Sequence, residues 1–503
     1  MSFESSPMSY RSSAVNSIQP VRMGLGLAAA LSLIGCTTVG PDFKQPVPPG
    51  VAGYTANAMP LQTAATPNTL LGNSQRLRSG ESVPTQWWRN FGSAKLNALI
   101  DQAFAASPSL VAAQATLRQA QQAYIAQAGS SEYPQLDAAL GAQRQHTTNA
   151  GFGQQGGERT YDLFNAGVAI RYNLDLFGGN RRALEGLAAQ ADYQRYQLEG
   201  ARLTLAANIV TAAMAQAQYA AQLSAIEAIL AAQQSQLDIA HKRFQLGAIA
   251  RGEELSLQTQ TEQTRATLPP LRNQLQQTNH LLAVLVGEAP AAANIPQFSL
   301  DDFTLPADIP LLVPSELVRQ RPDIQASEAL LRAANAEYGV AISKSYPQIN
   351  LSATLGTQAL AASNLFGPGS MIWSLVGQVA QPLFNGGLHA ARNSAQAGFD
   401  AAAANYQQSV LQGLRNVADV LRALDNGAQT LQAQAAANAA AQASLDMIQQ
   451  QYLLGSVSYL QLLTAQQQAQ QTRVNLITAQ TQRLTNTAGL YQAMGGGWSN
   501  TTH

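Results

Sequence analysis

The 503-residue sequence contains one cysteine, Cys36, so no disulfide bond can form within the chain. Charged residues make up 12%, about half the usual fraction. Lys and Arg together number 29, and Asp and Glu together also number 29, so the formal net charge is zero. This balance argues against a nucleic-acid partner, which would need a basic patch. No stretch after Cys36 approaches the ~18 uninterrupted apolar residues of a membrane-spanning helix, so none is predicted in the mature chain.

Proline is missing from two long parts of the chain, between Pro134 and Pro269 and after Pro382. Because proline interrupts helices, its absence permits a helix from about 181 to 246, roughly 100 Å long at 1.5 Å per residue. A single second helix is predicted to return from a turn near Gly247 to residues 286–290. Apolar residues every seven positions predict coiled-coil packing. They are Leu223, Leu230, Leu237 and Phe244, and later Val417, Leu424, Leu431, Leu445 and Tyr452, with Asn438 as one polar break.

The sequence offers no motif for catalysis, a metal or a cofactor. The GxGxxG pattern at 151–156 lies between two predicted strands, where a dinucleotide site would need a strand before it and a helix after it. It is therefore interpreted as a flexible outward loop. The five histidines show no HxxxH spacing, so a zinc site within one chain is not expected; they are His146, His241, His280, His389 and His503. The chain is predicted not to be an enzyme.

Four segments of about ten residues alternate between apolar and polar side chains, which is typical of β-strands. They form two predicted hairpins, at about 134–177 and 347–384. One face is predicted to meet lipid and the other a lumen; the apolar set is Leu140, Val168, Leu351 and Leu375, and the polar set is Asp137, Asn165, Asn350 and Ser374. Four strands cannot close a barrel alone, so several chains would have to share one. The alternative is a soluble sheet packed on helices.

The second half of the sequence repeats the first. The order of elements is helix, hairpin, long helix, turn and helix in both halves, and "DLFGGN" at 175–180 matches "PLFNGG" at 382–387. The matched positions pair Pro108 with Pro322, Pro134 with Pro347, Gly247 with Gly455 and Leu255 with Leu463. The predicted fold is mainly α, with tandem-duplicated long coiled-coil helices and a four-stranded β contribution.

The beginning of the chain has the layout of a secretory signal. Arg11 and Arg22 precede an apolar run that ends at Ile34, and a small residue, Gly35, follows. The sequence "LIGC" also resembles a bacterial lipobox, in which the cysteine is acylated and becomes the first mature residue. We therefore predict lipid on Cys36 and no other cofactor. The alternative is an ordinary signal peptide with an incidental cysteine.

Composition and the duplication divide the chain into segments. Residues 1–35 are a predicted signal peptide, and residues 36–86, rich in Pro, Gly, Thr and Asn, form a lipidated, extended spacer. The first repeat covers 87–313 and the second 314–497, with a single helix predicted from 315 to 344, and a tail at 498–503. The spacer, the Pro-rich connector near 289–314 and the C-terminus are expected to meet.

Several motifs together resemble the TolC-type outer membrane efflux proteins, in particular their NodT-like lipoprotein branch. These motifs are "GCTTVGPDF" at 35–43, the pair Trp87-Trp88, "SYPQINLSATLG" at 345–356, "PLFNGG" at 382–387 and "YLLGSVSYLQLLTAQ" at 452–466. The resemblance implies a homotrimer with a trimeric α-barrel continuous with a shared twelve-stranded outer membrane β-barrel. It also implies a periplasmic adaptor (membrane fusion) protein and an inner membrane resistance–nodulation–division (RND) transporter as partners, with contact to outer membrane lipid.

The resemblance also assigns residues. The two turns become adaptor-docking tips, which comprise Leu246, Gly247, Ala248, Leu454, Gly455 and Ser456. In the family a periplasmic gate has acidic rings that follow a Leu. Leu460 stands at that Leu position, whereas Gln461 and Thr464 stand at the acidic ones, and Glu253 is the first-repeat equivalent of Gln461. Glu253 and Glu254 are interpreted either as carboxylates that stabilise a helix N-terminus or as part of a gating ion pair.

The leading functional prediction is a passive outer membrane duct for an efflux pump. A second is the exit duct of a type I protein secretion system, and a third is a structural coiled-coil surface lipoprotein, which the alternating strands oppose. The lipobox and the Trp pair favour efflux over secretion.

Overall fold

The computed structural model describes residues 38–148 and 157–498. Cys36 and the GxGxxG segment therefore lie outside the described residues, as does His503. The chain divides into two compact units. One comprises the described parts of 1–42, 126–185 and 335–396; the other comprises the described parts of 43–125, 186–334 and 397–503.

The first unit contains an antiparallel sheet of four strands in the order β2-β3-β5-β6. The strands are β2 (Gln135–Thr147), β3 (Arg159–Leu174), β5 (Gln348–Ala359) and β6 (Met371–Ala380). Both predicted hairpins are thereby confirmed, and β3 pairs with β5 to join the two repeats. Strands β2 and β6 are the edges of this sheet.

The two faces of the sheet differ in chemistry, as the alternation predicts. On one face Arg171 contacts Asp137 at 2.7 Å. On the same face the amide groups of Asn173 and Asn350 hydrogen-bond at 3.1 Å, as do the hydroxyls of Thr354 and Ser374 at 2.7 Å. The opposite face presents exposed apolar side chains, among them Leu140, Val168, Leu355, Trp373 and Leu375.

Two helices of nearly equal length follow the hairpins. Helix α3 (Gly179–Gln245) has 67 residues, and its repeat, α8 (Gly386–Leu453), has 68. Helices α1 (Ala94–Ala106) and α2 (Pro108–Ser131) precede the first hairpin. Among the described residues no helix combines the length and apolar content needed to cross a membrane.

The returning helices differ between the repeats, and here the sequence prediction is wrong for the first. In the second repeat one helix, α9 (Tyr459–Ala493), covers the return. In the first, α4 (Arg251–Ala266) and α5 (Leu268–Leu285) replace the single helix predicted. Pro269 and the proline after it have no N–H to continue the hydrogen bonding of α4, whereas proline is accommodated in the first turn of a new helix.

The single helix predicted over 315–344 is also divided. The structure has α6 (Pro314–Gln320) and α7 (Pro322–Ser343). Arg321 between them is extended, with φ −77° and ψ 124°. A residue before proline is disfavoured in the helical region because it would clash with the proline ring.

The second unit contains a small parallel sheet that the sequence did not predict. Strand β1 (Arg76–Ser79) of the spacer pairs with β4 (Asp308–Leu311) of the connector. Beside it Trp87 stacks on Tyr491 of α9 with ring centroids 5.5 Å apart. The spacer, the connector and α9 therefore meet, as expected, in a cluster that we call the belt and define as residues 61–91, 296–312 and 480–497.

Gln75 and Arg483 occupy the centre of the belt, and both are buried. The side-chain amide of Gln75 donates to Pro306 O at 3.0 Å and to Thr487 Oγ1 at 3.1 Å. Arg483 donates to Gln75 Oε1 at 3.2 Å and to Leu71 O at 3.3 Å. Burial lowers the pKa of Arg483 to about 10, so this side chain stays charged at neutral pH.

Candidate functional site

The first predicted tip is a tight glycine turn at the end of α3. Gly247 has φ +72°, a backbone conformation that favours glycine. Its N–H donates to Phe244 O at 2.8 Å, and the N–H of Ala248 donates to Arg243 O at 2.8 Å. This pair of bonds is the Schellman motif, which satisfies the last carbonyls of a helix. The side chain of Leu246 is 84% exposed.

The second predicted tip has the same construction at the end of α8. Gly455 has φ +76° and donates to Tyr452 O at 3.0 Å, while Ser456 N donates to Gln451 O at 3.0 Å. Leu454 is 84% exposed, as is its repeat partner Leu246. The interpretation of both glycines as helix C-terminal residues is confirmed. Each turn therefore presents a leucine that is largely exposed among the described residues.

The predicted gate residues beside the second tip have distinct environments. Leu460 is 68% exposed at the start of α9. Gln461 forms a capping box with Ser458, because Gln461 Oε1 accepts from Ser458 N at 2.9 Å and Ser458 Oγ accepts from Gln461 N. Thr464 Oγ1 donates to Leu460 O at 2.9 Å. The polar groups of Gln461 and Thr464 are thus bonded locally, and only Leu460 among these three has an unengaged side chain.

Glu253, the remaining gate residue, is bonded across the repeats. Tyr452 near the end of α8 donates its phenol O–H to Glu253 Oε1. Burial, followed by this hydrogen bond, raises the pKa of Tyr452 to about 12. The ring of Tyr459 lies edge-to-face on Tyr452 at 6.2 Å, and burial likewise raises its pKa.

A second acidic residue ties the two sides of the first tip together. Glu254 is buried and accepts from His241 Nδ1 at 2.7 Å and from Arg251. The bond to His241, together with Arg251, lowers the pKa of Glu254. The sequence analysis singled out Glu254 as a helix N-terminal carboxylate or a member of an ion pair, but it missed His241 as a partner. The sequence signal for this contact was the position of the two residues about the turn. His241 lies six residues before Gly247 and Glu254 lies seven after it, and residues at such similar distances from a turn face each other on antiparallel helices.

A cleft of about 300 Å³ opens beside these residues. It lies among α3, α4, α8 and α9, and its apolar lining includes Ile239, Leu257, Leu453, Tyr459 and Leu462. Ile239 and Leu453 are 55% and 72% exposed, so this end of the helices carries apolar surface beyond the two tip leucines.

The residues that follow Cys36 are held at the start of α3. Arg182 is buried and donates to Val39 O, Gly40 O and Asp42 Oδ1, the last at 2.7 Å. Val39 N also donates to Phe177 O at 3.0 Å. The chain is thus fixed to the base of the first hairpin three residues after the cysteine.

The described residues contain no group of three or more His, Cys, Asp or Glu side chains that could hold a metal ion. His146 contacts Thr160 at 2.8 Å, and His241 contacts Glu254. Neither contact gathers the three or four ligands of a zinc site.

Comparison with known proteins identifies the family. The pattern of the family described as outer membrane efflux protein matches residues 99–288 and 313–496. The pyoverdine export outer membrane protein OpmQ of Pseudomonas aeruginosa is 30% identical, over 84% of this chain and 90% of OpmQ. The cation efflux system protein CusC of Escherichia coli is 27% identical, over 94% of this chain and 98% of CusC. Among solved structures, the outer-membrane channel OprN has a TM-score of 0.81 at 25% identity and covers 92% of this chain and 100% of OprN.

The chain belongs to the outer membrane efflux protein family, because the family pattern covers most of both repeats. It is an efflux component of the outer membrane, and the resemblance seen in its motifs is confirmed. The two matched segments correspond to the two halves of the duplication.

Proposed function

We propose that three copies of this chain form a passive exit duct through the outer membrane. Strands β2, β3, β5 and β6 of each copy supply four strands of a shared twelve-stranded barrel. The long helices α3 and α8 supply the wall of a periplasmic tunnel. The chain then has five segments. Residues 1–35 are a signal peptide that is removed, and residues 36–86 form the lipidated spacer. The two repeats cover 87–313 and 314–497, and 498–503 form the tail.

The observation that carries this proposal is the sheet with two unpaired edges and two unlike faces. Open sheet edges do not occur in lipid, and the smallest spanning barrels have about eight strands, so one chain cannot span alone. The apolar face meets lipid through Leu140, Val168, Leu351 and Leu375. The polar face lines the lumen through Asp137, Asn165, Asn350 and Ser374.

The far ends of the helices are the docking region for a periplasmic adaptor. Its contacts are the tip residues Leu246, Gly247, Ala248, Leu454, Gly455 and Ser456, whose two leucines are 84% exposed. An inner membrane RND transporter supplies the energy. Closure at this end relies on apolar packing of Leu460 around the axis, because the polar groups of Gln461 and Thr464 are engaged in local bonds.

The cargo is a small molecule. OpmQ is named for pyoverdine export, CusC for cation efflux and TtgI of Pseudomonas putida for toluene efflux. The test is deletion of the gene from its host, followed by measurement of sensitivity to drugs, solvents and metal ions. Increased sensitivity that the intact gene reverses is expected. Loss of a secreted protein with unchanged sensitivity would instead assign the chain to type I secretion.

Cys36 carries the lipid anchor. The hydrogen bonds of Arg182 to Val39 and Asp42, which hold the segment after this cysteine at the base of the first hairpin, support the proposal. Mass spectrometry of the mature N-terminus should find an acylated cysteine. An unmodified N-terminus that begins at another residue would contradict the anchor while leaving the duct unaffected.

A further inference from the structure

The cleft of about 300 Å³ beside the tips has an apolar lining. Leu257 of α4 and Leu462 of α9 line it and are almost fully buried, whereas Ile239 of α3 and Leu453 of α8 line it and are largely exposed. Pockets that bind small molecules have volumes of roughly 300–1,000 Å³ and mostly apolar walls. The cleft therefore has the size and the walls that suit the apolar body of a small molecule.

The lining also includes a cation, Arg243 of α3. Arg251, which begins α4, pairs with the carboxylate of Glu254. By contrast, Arg243 takes part in no salt bridge among the described residues, although the hydroxyl of Tyr452 lies close to it. A guanidinium presents its N–H donors in a planar fork that matches the two oxygens of a carboxylate. Arg243 is thus a cation beside an apolar cleft with the capacity to bind an anion.

Hydrogen bonds between the two repeats involve residues that line the cleft. Gln466 Nε2 of α9 donates to Gln236 Oε1 of α3 at 2.6 Å. Tyr452 of α8 donates to Glu253 of α4. Both Gln236 and Tyr452 line the cleft, so its shape depends on how the two helix hairpins are placed against each other. A molecule that fills it favours the placement in which the cleft exists.

We propose that this cleft binds a small amphipathic carboxylate. Its apolar body packs on the leucine and isoleucine side chains, and its carboxylate pairs with the guanidinium of Arg243. Such a ligand contacts α3, α4, α8 and α9 together and holds the two hairpins in the arrangement of this structure. Binding needs only the cleft, whereas the effect of the ligand on closure rests on the proposed function.

The charge of Arg243 favours a carboxylate over a neutral molecule of the same shape. A neutral ligand would remove water from the guanidinium without replacing the lost hydrogen bonds, which costs free energy. A carboxylate replaces them with charge-assisted bonds. The carboxylate of Glu253 does not compete, because it accepts from Tyr452 and forms no salt bridge with Arg243 among the described residues.

Two compounds that differ only in charge test the site. Naphthoate carries a carboxylate on a rigid apolar body, and naphthamide has the same shape without the charge. Each is titrated by calorimetry into the full-length protein in phosphatidylcholine nanodiscs, and heats from empty nanodiscs are subtracted. Naphthoate should bind about tenfold more tightly than naphthamide or better, since a hydrogen bond to a charged group is stronger than one between neutral groups.

Variants assign this preference to the cleft. Arg243→Gln should abolish the advantage of naphthoate and leave the affinity for naphthamide, which shows that the cleft is still formed. Ile239→Ser should weaken the binding of both compounds. Arg415→Gln is the matched control, because Arg415 is an exposed arginine of α8 outside the cleft, and it should change neither affinity.

Three results would overturn the site. They are equal affinities of the two compounds for the wild type, a preference for naphthoate that survives Arg243→Gln, and no binding of either compound. Equal affinities that Ile239→Ser lowers would mean that the cleft accepts any small apolar molecule.

Single-channel recording in a planar bilayer tests the effect on closure. Naphthoate should reduce the fraction of time that the wild-type channel is open, and naphthamide should reduce it less. Arg243→Gln should show no difference between the two compounds, so this variant also controls for effects on the bilayer. Binding of naphthoate without any change in opening would overturn the link to closure. Absence of channels before any compound is added would instead contradict the proposed duct.

Discussion

Tyr452 donates a hydrogen bond from its phenol oxygen to Glu253, and this bond joins the end of α8 to the start of α4. The two residues are 199 positions apart and belong to different repeats. The bond therefore fixes the two helix hairpins to each other beside their tips, where closure of the duct is proposed.

Removing that bond should favour the open duct. A hydrogen bond to a charged group contributes about 1.5–3 kcal/mol, so Tyr452→Phe should raise single-channel conductance in a planar bilayer. Tyr459→Phe is the matched control, because the hydroxyl of Tyr459 is buried without a hydrogen-bond partner. Equal conductance in both variants would show that the bond does not restrain the gate.

Alkaline pH should break the same bond. The pKa of Tyr452 is raised from 10.0 to about 12, so the phenol stays protonated longer in the folded chain. A raised pKa stabilises the fold below the unfolded value, and that stabilisation is lost as pH rises through the folded value. The tyrosinate absorbance difference between the wild type and Tyr452→Phe should have its midpoint near pH 12. A midpoint near 10 would place the phenol in water.

The gate itself should respond to apolar rather than polar substitution. Leu460→Ser should raise single-channel conductance, because a hydrophobic constriction that becomes polar is wetted. Gln461→Ala removes the side-chain half of the capping box and should change conductance little. The hypothesis is wrong if both variants conduct as the wild type does while Glu253→Gln opens the pore, since the gate would then be electrostatic.

The faces of the sheet can be tested with adjacent residues of β6. Leu375→Arg places a charge on the face proposed to meet lipid and should cost about 2–4 kcal/mol at the bilayer midplane. Ser374→Arg places it on the other face, beside Thr354, and should be tolerated. The fraction of folded protein in urea titrations measures the effect of each substitution. Equal losses would refute the assignment of the faces.

The belt should be more sensitive to loss of Gln75 than to loss of Arg483. Gln75→Leu leaves the buried Arg483 cation with one acceptor fewer, and an unsatisfied charged group costs more than an unsatisfied neutral group. Arg483→Met leaves only neutral acceptors unpaired, at about 1–3 kcal/mol. Limited proteolysis of the spacer should therefore be faster in Gln75→Leu than in Arg483→Met. The reverse order would mean that the charge is not sequestered.

The local features of this chain were predictable from its sequence. Alternation identified all four strands of the larger sheet, and glycine identified both tips, because each signal acts through neighbouring residues. The division of the first returning helix at Thr267 was also predictable, since Pro269 follows it in the sequence. Proline divides a helix there because it removes a hydrogen-bond donor from the backbone.

The long-range features were not predictable in the same way. Nothing near Arg76 indicates that its strand pairs with the strand of Asp308, because the four residues of β1 show no decisive periodicity. Likewise Gln461 occupies an acidic position of the family gate, but only the structure shows that its amide caps a helix. These contacts depend on which distant segments the fold brings together.

The belt has a consequence for the order in which parts of the chain can fold. Arg76 contacts a residue 232 positions later, and Gln75 contacts one 412 positions later. Such distant contacts form slowly, because the intervening chain must first be ordered. A protein exported from its N-terminus delivers Gln75 long before Thr487. The spacer must therefore remain unpaired during export. The belt can form only after almost the whole chain has been exported.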